Sequence, residues 1–132
     1  MIIPERLRML IFRIGDQHNA ITQLMGRLDN SDEPNTDMVA RRKVMEQLTE
    51  LWVDCIYAEE QVMRDIDYSH YRNHSKDHHK LFSMFSVAFA HCGENKVMTL
   101  TTQASMLKDA FQLHARKFDD PLFELLPAFS AS

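Results

Sequence analysis

The sequence predicts an all-α protein, an antiparallel up-down four-helix bundle, on three observations. Apolar residues recur at spacings of three, four and seven. Gly and Pro are scarce, three and four in 132 residues. Three polar interruptions, Asp29-Asn30-Ser31-Asp32-Glu33-Pro34-Asn35, Asp67-Tyr68-Ser69 and Cys92-Gly93-Glu94-Asn95-Lys96, leave four segments of helical length joined by short connections.

The first helix is expected from about Asp16, a candidate N-cap, to Leu28, with Ile21, Leu24, Met25 and Leu28 at core spacing. Residues 1–15 are an arm or an extension of this helix. The β-branched and aromatic stretch Met9 to Ile14 and Gly15 favour an arm, whereas Pro4 followed by Glu5 could equally start a helix. The second segment, about Asp37 to Asp65, carries an inward stripe of Val44, Leu48, Leu51, Cys55, Val62 and Ile66. Glu59 falls in that stripe, where an ionised acid is costly unless paired or bound to a cation. The third helix spans about His70 to Cys92 and the fourth about Thr99 to Phe118. Beyond them, in the tail 120–132, Asp120-Pro121 leads into the apolar run Leu122 to Phe129, which could cap one end of the core.

A chain of 132 residues, 45% hydrophobic and 26% charged, fits one soluble domain with one core. A formal charge of −4 with scattered Lys and Arg gives no footprint for nucleic acid. Charges interrupt the N-terminal apolar stretch and no apolar run approaches membrane-spanning length, so neither a signal peptide nor a membrane segment is expected. Two cysteines make no disulfide framework, and the reduced cytoplasm is the expected home. The nine Met read as adaptable core packing.

Histidines and acids stand at metal-ligand spacing on all four segments: His18; Glu59; the pair His74 and His78; and His114 with Asp119 five residues on. His74 and His78 lie one helical turn apart, so both imidazoles project from one face. Imidazole with carboxylate suits iron, manganese or zinc, and two bridging acids would hold two ions together.

In order and spacing these residues resemble the hemerythrin family, in its short bacterial form, over about residues 14 to 120. The matching stretches are Gly15-Asp16-Gln17-His18; Cys55-Ile56-Tyr57-Ala58-Glu59-Glu60-Gln61-Val62-Met63; Tyr68, His74, His78 and Phe82; and His114 with Asp119. The resemblance implies a four-helix bundle around two non-haem irons. His74, His78 and His114 would bind one iron. His18 and the residue at position 55 would bind the other. Glu59, Asp119 and an oxo or hydroxo group would bridge them. It also implies binding of O2 or another small diatomic or peroxide ligand for storage, delivery or sensing, a sensor signalling through a separate partner. The alternative is a diiron redox enzyme that activates O2 or reduces peroxide or NO.

The sequence departs from the family at Cys55, where the family has a histidine. Three readings stay open: Cys55 ligates as a thiolate, it is unbound and leaves the second iron open, or the second iron is lost and a mononuclear His74-His78-His114 site remains. Phe111, one turn before His114, is the candidate ligand-pocket residue, although a core Phe would read the same. Glu60, His70, His79 and His91 read as surface or end-of-helix residues, Tyr57 as packing, and Cys92 as a partly exposed bystander.

Overall fold

The structure, a computed structural model, describes residues 4–28, 38–91 and 97–126. Among these, every regular element is helical: α1 (Glu5–Leu28), α2 (Met38–Asp65), α3 (Tyr71–His91), α4 (Val97–His114), a single π-helical turn (Ala115–Asp119) and α5 (Asp120–Glu124). Helices α1 and α2, α2 and α3, and α3 and α4 pack in succession, and α4 closes back on α1. No helix among the described residues is long and apolar enough to cross a membrane. The turn clusters at 29–35 and 92–96, with Cys92, the side chain of His91 and the tail beyond residue 126, lie outside the described residues.

Each helix turns one stripe inward. On α1 it is Leu7, Ile11, Ile14, Ile21, Met25 and Leu28, all buried. The stripe keeps its phase from residue 7 onward, so residues 5–15 extend the helix and form no arm. Energetics explain this outcome. A β-branched or aromatic residue costs at most about 0.7 kcal/mol of helix propensity, whereas burying a Leu or Ile side chain returns about 1.5–3 kcal/mol. Gly15 lies on the exposed face, where an added Cβ would meet nothing within 4 Å.

On α2 the fully buried positions are Met45, Leu48, Trp52, Cys55, Glu59 and Val62, while Val44, Leu51 and Ile66 sit half-buried at the margin. The stripe is thus centred nearer Trp52 than the expected list placed it. Helix α3 buries His74, His78, Leu81, Phe85 and Ala88, and α4 buries Ala104, Leu107, Phe111 and His114. The histidines occupy positions that continue the apolar stripes, so one stretch of the core is polar while the rest is dry.

The junction of α2 and α3 is sharply built. Asp67 takes a left-handed conformation (φ 53°), tolerated in Asp better than in most residues. The Tyr68 N–H then reaches the Met63 carbonyl (2.9 Å) and the Asp67 N–H the Arg64 carbonyl (3.2 Å), satisfying the last carbonyls of α2. At the other end of the pair, Arg6 near the start of α1 donates to Asp65 at the end of α2 (2.8 Å).

The end of α4 departs from a regular spiral. The Asp120 N–H bonds the Ala115 carbonyl, five residues back, which defines the widened turn. Pro121 follows immediately. It has no N–H to offer, and its ring would press on the carbonyl four residues earlier in a regular α-helix, which favours widening there. Beyond it, Leu122 and Leu126 are buried, so this part of the expected apolar tail does close the core.

Candidate metal centre

Seven donors, from α1, α2, α3, α4 and the π-helical turn, converge inside the bundle. Glu59, His74, His78, His114 and Asp119 form one group in which a ligand atom of each lies within 4.8 Å of every other, and His18, Cys55 and Glu59 form a second on the same criterion. All are buried except His18, whose side chain keeps 20% of its exposure.

The two carboxylates divide their oxygens between the groups. Glu59 Oε1 lies 3.0 Å from His74 Nε2, 3.1 Å from His78 Nε2 and 3.8 Å from His114 Nε2. Glu59 Oε2 instead faces His18 Nε2 at 3.0 Å and accepts a hydrogen bond from Cys55 Sγ at 3.0 Å. Asp119 repeats the division: Oδ1 is 2.9 Å from His74 Nε2 and 3.1 Å from His114 Nε2, while Oδ2 is 3.5 Å from His18 Nε2. His-x-x-x-His on α3 follows directly from the 3.6-residue turn. The spacing of five between His114 and Asp119 does not, because in a regular α-helix those positions lie about 140° apart around the axis. The π-helical turn supplies the extra residue that brings Asp119 round to the histidine face.

The cluster fits a metal on two counts. His114 Nε2 and Asp119 Oδ2 are buried without a hydrogen-bond partner, although both point among the other donors. An unsatisfied buried polar atom costs about 1–3 kcal/mol, a cost a coordinated cation removes. In addition, two buried carboxylates need compensating positive charge, since burial of an unpaired ion costs several kcal/mol.

Without metal that charge comes from protons. Burial alone would lower the His114 imidazole, yet the closeness and charge of Asp119 and Glu59 push it up to about 10. His18 and His74 are raised in the same way against their own burial. Burial works against ionisation of Glu59, but the surrounding imidazoles of His114, His18, His74 and His78 hold it well below the usual carboxylate range. Asp119 goes the other way, raised by burial and by the Glu59 charge. The Cys55 thiol is pushed well up by burial and then by Glu59, so it is a thiol near neutrality until a cation displaces its proton.

A pH dependence follows. The His114 pKa is higher folded than unfolded, so its protonation stabilises the fold fully below the ordinary 6.5, and the contribution is lost as pH rises toward about 10. Chelator-treated protein is therefore expected to lose roughly 1–3 kcal/mol across that window, seen as a falling urea midpoint. Metal affinity should rise over the same range, because coordination requires neutral imidazole. A flat or rising midpoint would contradict this account.

Residues behind the donors complete the site. Asp77 Oδ2 lies 2.6 Å from His114 Nδ1, fixing the tautomer that leaves Nε2 free to coordinate. Glu60 is only part-exposed and does not behave as a solvated acid. It accepts from Tyr71 Oη (3.0 Å) and Ser75 Oγ (2.9 Å) and stands 3.6 Å from His78 Nδ1. Trp52 meets His78 and His114 edge-on at 5.5 Å each, and Phe118 stacks tilted on His74 and His114 at 5.5 and 5.4 Å. Phe111 is buried and packs edge-on against His18 (5.5 Å) and Trp52 (5.7 Å). Beside His18 a cleft of about 360 Å³ opens to the surface, lined by His18, Asn19, Thr22, Phe111 and Arg116 among others. The largest surface hollow, about 630 Å³, lies at the α2–α3 turn around Tyr68, His70 and Tyr71, away from the donors.

The structure thus brings together His18, Cys55, Glu59, His74, His78, His114 and Asp119, with Phe111 beside them. It leaves Phe82 partly outside, His70 and His79 exposed, and Tyr57 also exposed, where packing was expected. Sequence reasoning missed Trp52, Asp77 and Phe118. Trp52 lies seven residues before Glu59 and three before Cys55, a spacing that marks the same helix face. Comparison with family models, curated proteins and solved structures found no match.

Proposed function

We propose that this chain is a hemerythrin-like protein, an up-down antiparallel bundle that holds two non-haem irons and binds O2 or a related small ligand. The observation that carries the reading is the split of Glu59 and Asp119, each with one oxygen among the imidazoles of His74 and His114 and the other beside His18. Bridging carboxylates offset the repulsion between two neighbouring dications. The Arg6–Asp65 pair supports the antiparallel course of α1 and α2.

Iron bound here would supply the electrons that O2 chemistry requires. The chain's own residues do the rest. His74, His78, His114, Glu59 and Asp119 would hold one ion, and His18, Cys55, Glu59 and Asp119 the other. Asp77 orients His114. Trp52, Phe118 and Phe111 exclude water and limit the space for anything but a small ligand. His18, the exposed donor, marks the side from which such a ligand arrives, through the cleft it shares with Phe111.

The test is metal content and oxygen response. Protein reconstituted anaerobically with ferrous iron is expected to carry about two irons per chain, and its absorption should change reversibly on cycles of aeration and deoxygenation. One iron or none would sink the two-metal reading. Cys55 favours a second reading, since a thiol beside the centre is an oxidisable group. Turnover of peroxide or NO without a reversible oxygen spectrum would establish that enzyme in place of the carrier or sensor.

A further inference from the structure

We propose that the position formed by His18, Cys55, Glu59 and Asp119 prefers zinc to iron, so that zinc and iron sort themselves between the two halves of the centre. The inference rests on the two-metal reading above and goes beyond it to the identity of each ion.

The two halves differ in donor number and softness. One offers three imidazoles and two carboxylate oxygens, from His74, His78, His114, Glu59 and Asp119. Five hard or intermediate donors leave one vacancy in a six-coordinate shell, which suits iron or manganese. The other offers one imidazole, one thiol and a carboxylate oxygen of Glu59, gathered within 4.8 Å, with Asp119 Oδ2 as a fourth donor 3.5 Å from His18 Nε2. That oxygen is buried and has no hydrogen-bond partner. One nitrogen, one sulfur and two oxygens make a closed four-donor set, the number zinc takes in structural sites.

The separations agree with this division. Around an octahedral ion with bonds near 2.1 Å, neighbouring donors stand about 3.0 Å apart. Four of the five imidazole–carboxylate distances in the histidine-rich half are 2.9–3.1 Å; only His114 to Glu59, at 3.8 Å, is longer. Around tetrahedral zinc, with bonds of about 2.0–2.3 Å, neighbours stand about 3.3–3.6 Å apart. The three distances in the cysteine half are 3.0, 3.0 and 3.5 Å, so each need grow by no more than about half an ångström.

Zinc also stands above ferrous iron in affinity for such donors, and a thiolate widens the gap. On binding, the Cys55 S–H bond gives way to a zinc–sulfur bond and the proton passes to solvent. Zinc has no redox chemistry, and four protein donors leave it no vacancy. Zinc uptake would thus silence the small-ligand response without emptying the iron half.

Metal-free protein reconstituted anaerobically with equal ferrous iron and zinc is expected to retain about one of each per chain by elemental mass spectrometry. Iron alone should give two irons. Cobalt(II) offered in place of zinc should show a thiolate-to-cobalt charge-transfer band, lost in Cys55→Ser, and Cys55→His should restore two irons in the mixed loading. Two irons per chain despite the zinc, zinc in both halves, or two bound cobalts without the thiolate band would overturn the proposal while the two-metal reading stands. Failure to hold any metal would overturn both. The cobalt spectrum of the unaltered protein decides the matter even if a Cys55 variant fails to fold.

Discussion

Replacing Glu59 by alanine is expected to empty both halves of the metal centre at once. Even removal of a residue that merely orients a ligand costs about 10–100-fold in metal affinity, and Glu59 contributes one oxygen to each group of donors. A loss of at least ~100-fold for both ions is expected, measured as residual metal after equilibrium dialysis. The metal-free variant should also be destabilised, by about 3–5 kcal/mol, because His18, His74 and His114 lose the charge that keeps them protonated inside the bundle. Glu59→Gln keeps the size of the side chain and separates the two effects: it should fold better than the alanine variant and still hold little metal. Asp77→Asn is the internal control, since Asp77 touches His114 alone and should weaken only the histidine-rich half. A Glu59→Ala protein with both metals in place would show that Glu59 bridges nothing.

Trp52→Ala should produce the largest loss of stability from an apolar substitution. The ring is wholly buried and packs against His78, His114, Phe85 and Phe111. Truncating a buried Trp costs about 3–5 kcal/mol, a large share of the roughly 5–15 kcal/mol that holds an ordinary domain together. The urea midpoint should fall accordingly, and metal affinity should fall with it because two ligand rings lose the wall that fixes their orientation. Trp52→Phe should be far milder, since Trp52 Nε1 is buried without a hydrogen-bond partner and its removal relieves an unsatisfied donor. Equal stability of the alanine variant and the parent would mean the ring is not part of the core.

How much of this could be read from the sequence depends on how local the cause is. His74 and His78 were legible because one turn of helix settles their relation. Glu59 was legible because an acid in an apolar stripe requires a partner. The start of α1 was misread because intrinsic preference and Gly15 outweighed a stripe whose phase continued back to Leu7. Asp77, Glu60 and Phe118 were not legible as parts of the site, because their roles depend on rings contributed by other helices. Asp77 in particular reads as any surface acid until His114, 37 positions later, is laid against it. The meeting of His114 and Asp119 stood in the count of five, yet its physical cause was the change of helix type before Pro121.

That change makes chain length, more than residue identity, the quantity specified between Ala115 and Phe118. Arg116 and Lys117 project outward, so substitutions there should be cheap. Excising a single residue is another matter. The spiral would revert to its common pitch and swing everything downstream by about 100°. Asp119 would then miss the histidines, and Leu122 and Leu126 would be carried off the interior they seal. A codon-sized deletion in this stretch is therefore a rotation of the whole C-terminal end, whereas a lost residue in a surface connection would merely shorten slack.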